Sequence, residues 1–244
     1  MRTGLDQTLI VMPAFNESEV IGAVIAEVRR VLPGVACLVV DDGSIDSTTD
    51  VARRAGAIVA TLPYNLGVGG AMRVGFKFAI ENGFANVVQL DSDGQHDPAY
   101  VKTLVSRLDH ADLVIGARFA GEGDYAVRGL RKVAMGFLAK TLSATARTRL
   151  TDTTSGFKAA GPRAVTLFAE HFPAEYLGDT IEALVIAARS GCVIVQEPVK
   201  MRVRQGGTPS HNPVKSALYL GRALIALCFA LIRPPHSLEE GAPA

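Results

Sequence analysis

Short apolar runs alternate along this chain with longer stretches whose apolar positions recur every three or four residues. The runs at 8–12, 35–40, 57–62, 87–90 and 113–116 have the length and apolar content of buried strands. Between the first two, Val20, Val24, Ile25 and Val28 share one helical face, with Asn16 or Ser18 placed to cap it. Helices are likewise predicted over 71–81 and 98–108. Strands alternating with helices at this spacing predict an α/β fold: a mostly parallel sheet with helices on both faces. After residue 118 the pattern is less regular. It predicts a loop over 118–124, helices over 128–146, 164–171 and 179–189, a polar connection over 151–157 and a strand over 193–197. A basic, Gly-rich stretch follows at 201–208, and then the strongly apolar segment 213–232.

The chain has 244 residues, 48% of them hydrophobic, which is enough for one sizeable core. Its net charge of +1 provides no basic field for nucleic acid. Cys37, Cys192 and Cys228 are widely spaced in apolar surroundings and read as buried free thiols. No signal peptide is evident. The apolar stretch 217–232 would be about 24 Å long as a helix, short of a ~30 Å hydrocarbon core, and it contains Arg222. Spanning is therefore not expected. The segment suits a helix lying in a membrane interface, or one packed on this protein or on a second copy of it. The expected organisation is a catalytic domain over 1–212, an apolar to amphipathic C-terminal helix over 213–233 and a flexible tail over 234–244.

The chemistry gathers where strands end. The first ends in Asn16 and Glu17, the second in Asp41 and Asp42, and the run at 87–90 in Asp91 and Asp93. In a parallel sheet these ends lie at one edge, where such folds bind ligands. Carboxylates there can accept from ribose hydroxyls and base N–H groups. On an extended backbone Asp91 and Asp93 would point to the same side, and Gln95 would follow. Two such carboxylates can share a hard cation, Mg²⁺ or Mn²⁺, that keeps positions open for substrate phosphates. The alternative is a solvated acidic turn, since Asp, Gly and Pro98 are ordinary turn residues. Gly67, Gly69 and Gly70 lack dinucleotide-binding spacing and read as easing a tight helix entry, although a phosphate could approach that helix end.

Seven motifs occur in a fixed order: Pro13-Ala-Phe-Asn-Glu17, Val39-Val-Asp-Asp-Gly-Ser-Ile-Asp46, Asn65-Leu-Gly67, Asp91-Ser-Asp-Gly-Gln95, Gly116-Ala-Arg118, Asp152-Thr-Thr-Ser-Gly-Phe157 and Arg204-Gln-Gly-Gly-Thr-Pro-Ser210. In that order the chain resembles the inverting glycosyltransferases of family 2, with the Rossmann-like GT-A fold. Within that family it is most similar to the polyprenyl-phosphate and dolichol-phosphate sugar transferases. The resemblance covers roughly residues 8–225. It implies a nucleotide-sugar donor bound by Pro13, Ala14, Asn16, Glu17, Asp42, Asp91 and Ser92, and Mg²⁺ or Mn²⁺ held by Asp91, Asp93 and Gln95. It implies acceptor-phosphate contacts from Arg118, Arg131, Ser155 and Arg204. Asp93, Arg118, Arg204 and Asp179 form the implied catalytic group.

Two departures from the family pattern bear on the acceptor. Transmembrane helices that many relatives carry after the catalytic domain are not seen. The Glu-Asp pair of hydroxyl-glycosylating members is missing, and Gly178-Asp-Thr-Ile-Glu182 occupies its place. A hydroxyl nucleophile needs a general base, for which Asp179 would serve. A phosphate monoester is already anionic near neutral pH and needs positioning by Arg. The expectation is transfer of a hexose, from a GDP-mannose or UDP-glucose type of donor, to a polyprenyl phosphate at the cytoplasmic membrane surface. A soluble metabolite or glycan acceptor is the first alternative. A sugar nucleotidyltransferase would need a basic Gly-rich loop after the first strand, where this chain has acidic Pro13-Ala-Phe-Asn-Glu17. A non-catalytic nucleotide-sugar-binding module would have no need of Asp91 and Asp93.

Overall fold

The computed structural model describes residues 4–118, 130–173 and 179–202. Among them β1 (Thr8–Ala14), β2 (Ala36–Asp41), β3 (Ile58–Thr61), β4 (Asn86–Gln89), β5 (Leu113–Arg118), β6 (Lys158–Ala160) and β7 (Ile194–Val199) form one sheet, in the order β3-β2-β1-β4-β6-β5-β7. All adjacent pairs are parallel except those of β6, which runs antiparallel to both β4 and β5. The helices are α1 (Ile21–Val31), α2 (Thr48–Arg54), α3 (Gly67–Glu81), α4 (Val101–Arg107), α5 (Leu130–Ala146), α6 (Pro162–His171) and α7 (Asp179–Arg189).

Helices on both faces bury every residue of β1, and successive β1 side chains enter different cores. Leu9 and Val11 face a cluster with Phe76, Phe168 and Phe172 from α3, α6 and the end of α6. The three rings lie 5.1 to 5.3 Å apart, centroid to centroid. Ile10 and Met12 face the opposite cluster, with Ile21, Val24, Ile25 and Val28 of α1 and Val101, Leu104 and Val105 of α4. The periodicity therefore identified the faces of α1 correctly. It missed β6, which spans only Lys158-Ala-Ala160 and carries no hydrophobic alternation. β6 exists because ladders on both sides hold it, Val88 and Val114 both pairing with Ala159.

The start of α1 also differs from expectation. The helix begins at Ile21 without a side-chain cap, after a turn in which the Ile21 N–H donates to the Glu17 carbonyl at 2.9 Å. Asn16 and Ser18 are engaged with the neighbouring loop instead. α3 starts at Gly67, four residues before the expected Ala71.

Close packing of α3 on β1 depends on a glycine. A Cβ at Gly75 would lie 2.5 Å from Val11 Cγ1, and Val11 is fully buried. Val is stiff at χ1, so little can give way. Gly75→Ala gains up to about 1 kcal/mol of helix propensity but incurs about 1–3 kcal/mol of overpacking. Net destabilisation is expected in urea unfolding, and a stabilised variant would contradict this packing.

Cys37 and Cys192 are free and buried, as expected. Burial pushes the Cys37 thiol up to about 12, so it is inert near neutral pH. No helix of the described residues is long and apolar enough to cross a membrane. Cys228, the segment 213–233 and the tail 234–244 lie outside the described residues.

Candidate active site

β2, β1 and β4 are adjacent and parallel, so the expected clusters do meet at one edge. Pro13 and Ala14 close β1, opposite Val40 and Asp41, and both are buried. Asn16 follows with φ 55°, a left-handed conformation that Asn tolerates better than most residues. Its N–H donates to Ser44 Oγ at 2.8 Å, and its Oδ1 accepts from the Ile45 N–H at 2.9 Å. The Glu17 N–H donates to Thr48 Oγ1 at 2.9 Å, and the Ser18 N–H to Asp46 Oδ2 at 3.2 Å. Side chains thus stitch the loop after β1 to the loop after β2.

Asp46 is the centre of this stitching, since its Oδ1 also accepts from the Thr48 N–H at 2.9 Å. Slight burial would raise its carboxyl, but hydrogen bonds from Thr48 and Ser18 outweigh that and hold it at about 2. Its folded pKa lies below the ordinary 3.8, so the linked stability is present above pH ~4 and lost as pH falls toward 2. The advantage in Tm of the native chain over Asp46→Asn should shrink across that window. An advantage independent of pH would contradict this.

Asp41 and Asp42 have different surroundings. Asp41 Oδ1 accepts from the Ser44 N–H at 3.0 Å and Oδ2 from the Thr49 hydroxyl. Asp42 reaches across to the start of α3, accepting from Leu66 N–H at 2.7 Å and Gly67 N–H at 2.8 Å. The helix end that a phosphate could have approached is thus occupied by a carboxylate. Burial, with Asp41 beside it, pushes the Asp42 carboxyl up against the pull of those N–H donors. Gly43, at φ 75°, has no room for a Cβ, which would sit 2.7 Å from the Tyr64 backbone.

After β4 the chain does not stay extended as expected. Ser92 and Asp93 form a turn and Gly94 is left-handed at φ 77°, so turn geometry, not strand alternation, sets the two carboxylates. Asp93 is buried and its Oδ1 accepts from the Gln95 N–H at 3.0 Å. The Asp91 side chain is 37% exposed. Ser92 is buried. A Cβ at Gly156 would lie 3.1 Å from both Asp91 carboxylate oxygens, so this glycine allows the turn after Ser155 to approach them closely. Ser155 itself is 1% exposed and donates to the Gly116 carbonyl at 2.6 Å. It ties the turn to β5.

Arg202 is no merely solvated charge: it anchors the chain after β7. Its N–H donates to the Gln95 carbonyl at 2.9 Å, and its guanidinium grips both oxygens of Glu27 at 2.8 and 2.9 Å and Asp97 Oδ2 at 2.9 Å. Arg118 is the last residue of β5, Arg131 the second of α5 and Asp179 the first of α7. Their side chains, and all of Arg204, lie outside the described residues.

Among the described residues no three His, Cys, Asp or Glu side chains form a group able to hold an ion by themselves. Asp91 and Asp93 are hard oxygen donors, the Asp91 side chain partly exposed and Asp93 buried. Such a pair suits Mg²⁺ or Mn²⁺ completed by water and phosphate oxygens, and it does not suit a softer metal.

In a mixed α/β sheet, acidic residues at the carboxyl ends of the central strands stand where such folds bind ligands. Residues 9–166 match the family described as Glycosyl transferase family 2, and the chain belongs to that family and is a glycosyltransferase. Over 225 residues it is 27% identical to the dolichyl-phosphate hexose transferase of Haloferax volcanii, covering 91% of this chain and 94% of that protein. Over 144 residues it is 31% identical to the polyprenol monophosphomannose synthase of Mycolicibacterium smegmatis, covering 56% of this chain and 54% of that protein. The fold is similar to that of glucosyl-3-phosphoglycerate synthase from Mycobacterium tuberculosis, crystallised with Mn²⁺, UDP and phosphoglyceric acid. The TM-score is 0.68 at 22% identity, covering 93% of this chain and 79% of that one. Another crystal of that enzyme contains Mg²⁺ and UDP.

Proposed function

We propose that this glycosyltransferase moves a hexose, with inversion, from a nucleotide sugar of the GDP-mannose or UDP-glucose type to a polyprenyl phosphate. The carboxylates Asp91 and Asp93, one 37% exposed at its side chain and both just after β4, are the observation that supports it most. The loops after β1 and β2 would take the nucleoside: Pro13, Ala14, Asn16 and Glu17 from one side, Asp42 from the other. Asp91, Asp93 and Gln95 would hold Mg²⁺ or Mn²⁺ beside Ser92, and the cation would offset charge on the leaving diphosphate. Arg118, Arg131 and Arg204, together with Ser155, would position the acceptor phosphate. Relatives that act on dolichyl phosphate, or make polyprenol monophosphomannose, support this acceptor by name.

The enzyme would work at the cytoplasmic face of a membrane, with residues 213–233 at the interface and 1–212 as the catalytic part. A soluble acceptor is the second reading, favoured by the likeness to a synthase that binds phosphoglyceric acid. Asp179 would then act as base. Incubation with radiolabelled GDP-mannose or UDP-glucose, Mn²⁺ and undecaprenyl phosphate separates the two. Label entering the organic phase is expected. Label passing only to phosphoglycerate or another water-soluble acceptor overturns the lipid reading.

A further inference from the structure

We propose that His96 is a positioning residue whose two ring nitrogens fix the backbone and the carboxylate of Asp91, so that Asp91 meets the divalent cation already oriented. The inference rests on the metal reading given above. His96 sits five residues beyond Asp91, yet it is only 2% exposed. Its ring stacks on Phe157, with centroids 4.7 Å apart and planes inclined by 13°. Its backbone bridges to Met201 on the strand-like chain that leads into Arg202. The imidazole therefore has little freedom to turn.

Both nitrogens address the same residue. Nδ1 accepts the Asp91 N–H at 3.0 Å. A nitrogen that accepts carries no proton, so the proton of the neutral ring resides on Nε2. Nε2 lies 3.5 Å from Asp91 Oδ2. That is longer than an ordinary hydrogen bond, and the contact orients the carboxylate electrostatically. On the opposite side Gly156 presents backbone without a side chain, close enough that a Cβ would lie 3.1 Å from either oxygen. The carboxylate is thus held between a buried N–H and a bare turn, leaving 37% of its side chain exposed. Groups that orient a ligating side chain in this way commonly change metal affinity by 10–100-fold when removed.

The test is Mn²⁺ binding, read by the electron paramagnetic resonance of the free ion, with UDP or GDP present. His96→Ala is expected to weaken binding by about 10-fold or more. His96→Gln keeps an N–H donor near the position of Nε2 and should stay within about 3-fold of the native chain. His96→Asn reaches only as far as Nδ1 and should resemble Ala. Should His96→Ala fail to fold, the Gln and Asn pair decides. Independently of metal, long-range ¹H–¹⁵N spectra of the metal-free protein should show the proton on Nε2. Native binding with indifferent His96 variants, or a proton on Nδ1, overturns the positioning role alone. A native chain that binds no Mn²⁺ overturns the metal reading beneath it as well.

Discussion

Replacing Asp91 or Asp93 by Asn should lower sugar transfer by about a thousandfold or more while the protein stays folded. A bound cation offsets several kcal/mol of charge developing on a diphosphate leaving group, and each ~1.4 kcal/mol is a factor of ten. Asn removes the charge but retains an oxygen. The hydrogen bond that Asp93 accepts from Gln95 can therefore persist, and neither change takes a side chain from the hydrophobic cores. The measurement is kcat at saturating donor and Mn²⁺, alongside a thermal melt. Wild-type rates in EDTA, or in either variant, would refute the assignment.

Arg204→Ala is expected to reduce transfer to a polyprenyl phosphate by about 100-fold, while Asp179→Asn and Glu182→Gln stay within a few-fold. The asymmetry follows from the nucleophile. A phosphate monoester, with its second pKa near 6, needs no base at neutral pH but does need its charge met, and the planar fork of Arg does that in bidentate fashion. Arg204 follows the anchored Arg202 by two residues, and Arg202 is bound to the backbone of Gln95 beside the carboxylate turn. If Asp179→Asn instead removes activity by several orders of magnitude, an acceptor hydroxyl with Asp179 as its base becomes the better account.

Much of this architecture was legible in the chain because it depends on local periodicity. The apolar runs located β1 to β5 and β7, and the acidic residues after three of those strands fall at the ends of the adjacent parallel strands β2, β1 and β4. What stayed hidden depends on partners far apart in sequence. Asn16 could not be seen to bind Ser44 and Ile45 instead of capping α1, because the contact crosses 28 or 29 residues. The reach of Asp42 to Leu66 and Gly67 is of the same kind. β6 has no pattern of its own to read. His96 was visible within the motif, but a lone histidine signals nothing until its burial and its stacking on Phe157 are known. The resemblance assigned Ser155 to the acceptor phosphate, and the structure shows its buried hydroxyl donating to the Gly116 carbonyl.

The place of β6 bears on how the chain comes off the ribosome. β3, β2, β1 and β4 are consecutive in the sheet, and the three ladders that join them need nothing synthesised later, so that half can assemble once residue 89 has emerged. β5 cannot join it, because its neighbours are β6 and β7, both synthesised later. Until residue 158 appears, β4 presents an unpaired edge, which is an invitation to foreign strands. Three residues with almost no strand character, Lys158-Ala-Ala160, thus end the period in which the nascent protein is most exposed to misassembly.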